Sequence, residues 1–194
     1  VDNMRKKWNP ASCCYEVCNA GTSQSRAFEQ LCWRQRLGKP LWVCIHAGAG
    51  YGKSHLLNAF LSQEQLDNRT WAVLAPSGVA ATNIGGMTVH YFFLMKADYT
   101  SKLEPDSEQA IRLEATQGLL IDEMTMLDRR AWNKIKKLCQ EFPLREDLRK
   151  DGALSDLGYR DVIICGDLFQ LPPASGHPPL VTHEDFQKKW NSLS

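Results

Sequence analysis

The residues best equipped for chemistry begin at His46-Ala-Gly-Ala-Gly-Tyr-Gly-Lys-Ser54. Gly50 and Gly52 allow backbone N–H groups to turn inward, so that phosphate oxygens can approach closely. Lys53 would then reach the β- and γ-phosphates of a nucleotide, and the Ser54 hydroxyl would bind Mg²⁺. Gly48, Ala49, Gly50, Tyr51, Gly52, Lys53, Ser54 and His55 are therefore the candidate nucleotide contacts. The alternative is a glycine-rich turn that binds nothing. A second acidic element, Asp122-Glu123, directly follows the apolar run Leu119-Leu-Ile121. Carboxylates at the end of a buried strand are costly without a partner. A neighbouring phosphate loop would give both of them a role. Asp122 would hold Mg²⁺ through its water shell, and Glu123 would orient or deprotonate the attacking water. The competing reading is an acidic pair at a helix start. Gln170, in Gly166-Asp-Leu-Phe-Gln-Leu-Pro-Pro173, is either a phosphate sensor or a satisfied loop amide.

Each of these groups needs an element to hold it. Leu41-Trp-Val-Cys-Ile45 reads as a buried parallel strand, and an apolar-periodic helix follows Lys53. Strand, glycine-rich loop and helix form the context that a phosphate-binding loop requires. Upstream, Thr22 or Ser23 can cap a helix over 25–37, with Ala27, Phe28, Leu31 and Cys32 inward and Gly38 as its stop. Trp71 to Ala75 predicts a further strand, with Pro76-Ser-Gly78 as the turn at its carboxyl end and a short helix over 79–84. In an α/β sheet such turns form the ligand face, which makes Ser77, Thr88 and His90 candidates for ligand contact. Turn chemistry for Ser77 and packing for His90 explain them equally well. Residues 96–110 read as a polar surface loop. A helix is expected over 128–142 and a strand over 159–165, with a polar connection between them. Another helix is expected from Glu184.

The chain has 194 residues, 43% hydrophobic and 23% charged, with a net charge of +1. That suits one sizeable α/β domain and excludes a global basic field. Contact with nucleic acid would need a local groove. No apolar run approaches a membrane span, and no secretory signal is visible. Arg5-Lys-Lys7 beside Trp8 reads as a solvated chain end or a small nucleic-acid contact. The seven cysteines are odd in number and fit reduced thiols of an intracellular protein. Cys13, Cys14 and Cys18 cluster, but no second pair at zinc spacing accompanies them.

The motifs together resemble those of one family. Gly50-Tyr-Gly-Lys-Ser54, Leu120-Ile-Asp-Glu-Met124 and Gly166-Asp-Leu-Phe-Gln-Leu-Pro-Pro173 resemble motifs I, II and III of superfamily-one DNA helicases. Ala75-Pro-Ser-Gly-Val-Ala-Ala-Thr-Asn-Ile-Gly-Gly-Met-Thr-Val-His90 resembles motif Ia of the Pif-type branch, which includes Helitron transposon helicases and RecD relatives. The resemblance implies an α/β, P-loop NTPase fold: a RecA-like parallel sheet flanked by helices. It implies ATP and Mg²⁺ as cofactors and single-stranded DNA as partner, and it implies 5′-to-3′ unwinding. By position it makes Gln24 the adenine reader. Lys53 becomes the phosphate lysine, Ser54 and Asp122 the metal residues, Glu123 the catalytic carboxylate and Gln170 the γ-phosphate sensor. Ser77, Thr88 and His90 fall in the segment that lines the DNA track.

Two departures stand out. Ala47 replaces the first glycine of the phosphate loop, and Tyr51 sits where the family usually has threonine. Either the backbone at Ala47 suits a methyl group, or the loop is crowded. The expected organisation is a flexible segment over 1–20, a RecA-like ATPase domain over 21–180, and a tail over 181–194 that leads to a second motor domain. That second domain would supply the arginine fingers. The alternative function is a degenerate fragment that binds nucleotide or DNA without turnover. A nuclear or mitochondrial location is expected if the source is eukaryotic.

Overall fold

The computed structural model describes residues 14–16, 22–96, 98–100, 103–153, 155–170 and 172–182. The side chains of the Cys13, Cys14 and Cys18 cluster, the basic run at Arg5 and the helix expected from Glu184 lie outside the described parts. Among the described residues, no helix is long and apolar enough to cross a membrane.

Apolar runs with β-branched and aromatic residues form the strands. They are β1 (Cys14–Glu16), β2 (Trp42–His46), β3 (Trp71–Ala75), β4 (Met87–Thr88), β5 (Gly118–Ile121) and β6 (Asp161–Gly166). All pairings are parallel, in the order β1-β2-β6-β5-β3-β4. β1 corrects the expectation of an unstructured segment there: Cys14–Glu16 pairs with Cys44, Ile45 and His46. Three residues carry too little periodicity to be read as a strand.

Every strand residue of β2, β5 and β6 except His46 is buried. Their side chains alternate between two cores, as a sheet covered on both faces requires. Val43, Ile45, Leu120, Ile163 and Cys165 pack with Ala27, Leu31, Leu56, Leu57 and Phe60. These partners come from α1 (Thr22–Arg36) and α2 (Lys53–Leu66). Trp42, Cys44, Leu119, Ile121, Val162 and Ile164 face the opposite core. α4 (Val89–Phe92), α5 (Glu108–Ala115) and α6 (Arg129–Glu141) cover that side. The short α3 (Gly78–Asn83) closes a small alanine-rich cluster beside β3.

α1 begins at Thr22, so Gln24 lies within its first turn, not ahead of it. No glycine or proline interrupts Thr22 to Ala27, and packing of Ala27 and Leu31 lets the helix propagate backwards. α5 corrects part of the loop expected over 96–110. Ser107 caps it by accepting from Ala110 N, yet it buries only Ala110 and Leu113, too short a stripe to show among the charges.

The end of the sheet away from the glycine loop is tied by polar groups. Asp161 accepts from Leu41 N at 2.7 Å, Arg69 Nη2 at 2.7 Å and Lys150 Nζ at 2.6 Å. Glu64 accepts from Arg69 Nε and Trp71 Nε1. Arg160 is buried, and its guanidinium donates to the carbonyls of Leu113, Cys139, Phe142, Leu157 and Gly158. One cation thereby satisfies the C-terminal ends of both α5 and α6.

Candidate functional site

Strand order decides which loops meet. β2, β6 and β5 are adjacent, so their carboxyl ends bring together 47–52, 167–170 and 122–123. Residues far apart in the chain are thus collected at one edge, where open α/β sheets bind ligands. Ala47 N donates to Gly166 O at 3.2 Å and continues the β2–β6 pairing into the loop.

Gly50 and Gly52 have φ of 78° and 77°, the left-handed region that glycine occupies at no steric cost. Ala47 is not among the non-glycine residues with positive φ, so its backbone accepts a methyl group. It is also buried in the core under α2. Of the two readings of Ala47, the backbone supports the uncrowded one. Gly48 supplies the close approach instead, because the Tyr51 ring lies 3.1 Å from where a Cβ on Gly48 would stand. Ala49, Gly50, Tyr51, Ser54 and His55 line the outer side of the loop and the start of α2, and all five are exposed. Gln24 Nε2 donates to Tyr51 O, which joins the first turn of α1 to the phosphate loop. Lys53 Nζ donates to Ala47 O at 2.7 Å and to Gly48 O at 3.1 Å, folded back over its own loop.

Asp122 is buried and accepts from Glu123 N at 2.9 Å and from the Cys165 thiol at 3.2 Å. Glu123 has φ 52° and ψ 49°, uncommon for a residue with a β-carbon. Its Oε2 is buried with no partner among the described residues. Burial pushes the Glu123 carboxyl above its usual range. The charge of Asp122 adds to this, Lys53 opposes it and Asp167 adds again. These contributions place Lys53 and Asp167 within electrostatic reach of Glu123. An unpartnered buried oxygen among carboxylates marks an excess of negative charge that a cation would offset. Asp122 and Ser54 fit Mg²⁺, which takes one or two protein oxygens and otherwise phosphate and water. No cluster of three or more metal-ligating side chains stands ready among the described residues.

Gln170 is exposed, and its N–H donates to Asp167 O at 3.0 Å. The Asp167 side chain accepts from Phe169 N at 3.0 Å and shapes the turn. His46 Nδ1 accepts from Leu168 N, and its ring meets Phe169 at 5.8 Å. Sequence reasoning did not single out Asp167, His46 or Cys165 as site residues. Asp167 lay within the Gly166-to-Pro173 stretch and His46 at the head of the glycine loop, whereas nothing local pointed to Cys165.

Ser77, Thr88 and His90 stand apart from this cluster, around β3 and β4. Ser77 Oγ caps α3 by accepting from Ala80 N, and Thr88 Oγ1 caps α4 by accepting from Tyr91 N. The His90 ring lies 5.7 Å from that of Tyr99. The turn chemistry foreseen for Ser77 is therefore present. A capping hydroxyl still has its own proton to donate.

Comparison with known proteins follows the same line. A family model described as PIF1-like helicase matches residues 20–191. The chain is 33% identical over 149 residues to the ATP-dependent DNA helicase PIF1 of Saccharomyces cerevisiae, covering 73% of this chain and 16% of that one. It is 34% identical over 158 residues to the ATP-dependent DNA helicase Pif1 of Bdellovibrio bacteriovorus, covering 78% and 32%. The crystal structure of Pif1 helicase from Candida albicans superposes with a TM-score of 0.66 at 26% identity, over 87% of this chain and 37% of that chain. The chain thus spans about a third or less of the length of the curated relatives it matches.

Proposed function

The chain belongs to the PIF1-like helicase family, and on that premise we propose that it is the first RecA-like motor domain of an ATP-dependent 5′-to-3′ DNA helicase. The observation that carries the reading is the meeting of Lys53, Asp122, Glu123 and the Asp167–Gln170 turn at the adjoining ends of β2, β5 and β6.

In this reading ATP lies along the loop 48–52 and the start of α2. Gln24 holds the base edge, and its place is set by the bond to Tyr51 O. Lys53 leaves the carbonyls of Ala47 and Gly48 and turns its ammonium to the β- and γ-phosphates. Mg²⁺, when bound through Ser54 and Asp122, supplies charge neutralisation at the phosphates. Glu123 orients the attacking water and takes its proton, with a raised affinity for that proton already built in by burial. Gln170, exposed in the turn after β6, senses the γ-phosphate. Single-stranded DNA runs past Ser77, Thr88 and His90 at the ends of β3 and β4. A second RecA-like domain would contribute the arginines that complete the site and the other half of the track.

The test is Mg²⁺-dependent ATP binding and ATPase activity of the chain, with and without single-stranded DNA, beside Lys53→Ala and Glu123→Gln. Binding that disappears in Lys53→Ala, with negligible turnover in the parent, marks a sound phosphate loop that awaits a second domain. DNA-stimulated turnover abolished by Glu123→Gln marks a site whose arginines are supplied by another chain or by this one. A folded chain that binds no ATP leaves the degenerate fragment as the better account.

A further inference from the structure

The segment that follows the Gln170 turn does not leave the domain freely. Arg129 N donates to Pro178 O at 3.0 Å, and Leu180 N donates to Leu127 O at 2.7 Å. Between them Asp128 and Pro179 form an isolated antiparallel bridge. Asp128 itself is 4% exposed. Its Oδ1 accepts from Ala131 N at 2.8 Å, which completes the N-cap of α6. A cap requires no more than that. Yet Oδ2 accepts two further donors from two other segments: Tyr99 Oη at 2.9 Å and Ser175 Oγ at 2.9 Å.

Tyr99 reaches this point at a cost. It adopts φ 60°, which a residue with a β-carbon holds only where its surroundings over-determine it. Its ring is flanked by the His90 ring at 5.7 Å and the Arg130 guanidinium at 5.1 Å. One buried carboxylate oxygen therefore joins the loop after α4, the start of α6 just beyond Glu123, and the chain just beyond Gln170.

We propose that Asp128 is a positioning residue for single-strand binding: through Oδ2 it holds Tyr99 and Ser175, and so sets the His90 ring and the segment after Gln170 in one fixed arrangement. The proposal rests on the helicase-domain reading above. Two electrostatic facts agree with it. Burial pushes the Tyr99 hydroxyl up to about 12, and the Asp128 hydrogen bond adds to this, so the hydroxyl remains a donor at neutral pH. Burial alone would raise Asp128, but the bonds from Ala131 N, Tyr99 and Ser175 outweigh it and hold the carboxyl below its usual value. Asp128 is thus an ionised acceptor whose partners come from three segments.

The experiment uses the full chain, a fluorescein-labelled oligo-dT read by anisotropy, and a fluorescent ATP analogue with Mg²⁺. Tyr99→Phe keeps the ring and removes one hydroxyl. Asp128→Asn keeps an oxygen for the cap and removes the second acceptor. Ser175→Ala removes the third partner, and Thr100→Ala, in the same loop and bonded among the described residues to Asp98, is the control. Tyr99→Phe and Asp128→Asn should each weaken oligo-dT binding about 5–10-fold, the scale of one net hydrogen bond, while ATP-analogue affinity stays within about twofold. Tyr99→Phe and Ser175→Ala combined should lose less than the product of the single losses, because both act through one oxygen. Unchanged oligo-dT affinity in folded variants overturns the proposal. Equal losses of strand and nucleotide binding also overturn it, since they mark general loosening. A parent chain that binds the ATP analogue but no oligo-dT overturns the strand-track role alone. A parent that binds neither sinks the helicase-domain reading with it.

Discussion

The side-chain amide of Gln24 donates to the main-chain oxygen of Tyr51, so the start of α1 is tied directly to the phosphate loop. The same amide nitrogen occupies the space that a Cβ on Gly52 would need. Gly50, with nearly the same φ, has open space around it. Both Gly50→Ala and Gly52→Ala strain the backbone, but only Gly52→Ala also displaces Gln24. Titration with a fluorescent ATP analogue should show Gly52→Ala weakened more than Gly50→Ala, by about tenfold or beyond for the added displacement, equivalent to ~1.4 kcal/mol. Equal losses would remove the link between Gln24 and the loop.

Ala47→Gly restores the glycine that the family pattern expects, but the Ala47 backbone gives it nothing to relieve. Nucleotide affinity should stay within about twofold. Thermal stability should fall, by up to about 1 kcal/mol, because glycine adds freedom to the unfolded chain. A clear gain in affinity would show that the methyl group crowds the cradle after all.

On the helicase-domain reading Glu123→Gln abolishes any turnover, and it should also stabilise the fold. The carboxyl is raised in the folded protein, first by burial and then by Asp122. A raised acid contributes fully to stability below its unfolded value of ~4.3 and loses that contribution as pH rises through the folded value. The variant lacks this loss. Its advantage in melting temperature should be absent near pH 4 and present at pH 7 to 8, at about 2–4 °C per kcal/mol for a domain of this size. An advantage that shrinks as pH rises would contradict the burial of Glu123.

Arg160→Met should cost the domain at least ~3 kcal/mol, because five carbonyls at and near two helix ends lose the guanidinium, and those of Leu113, Leu157 and Gly158 keep only a backbone donor. Arg160→Lys should recover only part, since an ammonium cannot reproduce the planar fork. Chemical denaturation reads both. A loss below ~1 kcal/mol would mean that water replaces the guanidinium with little penalty.

The sequence by itself determined whatever is contiguous. Gly50, Gly52, Lys53 and Ser54 act through a single turn of backbone, and Asp122 and Glu123 through the end of one strand. Their spacing alone therefore announced a phosphate loop and an acidic pair. The strands were legible because burial on both faces leaves an unbroken apolar run, and Gly38 marked the end of α1 through the positive φ it adopts. β1 and α5 were not legible, because three residues or one pair of buried side chains carry no period. Only the tertiary structure decided that β6 lies between β2 and β5, which gathers the loops 47–52, 167–170 and 122–123 at one end of the sheet. It also decided the backbone sign at Ala47 and the gathering of Tyr99, Asp128 and Ser175 around one oxygen. These depend on hydrogen bonds and packing between residues distant in the chain, and such pairings leave no trace in local spacing.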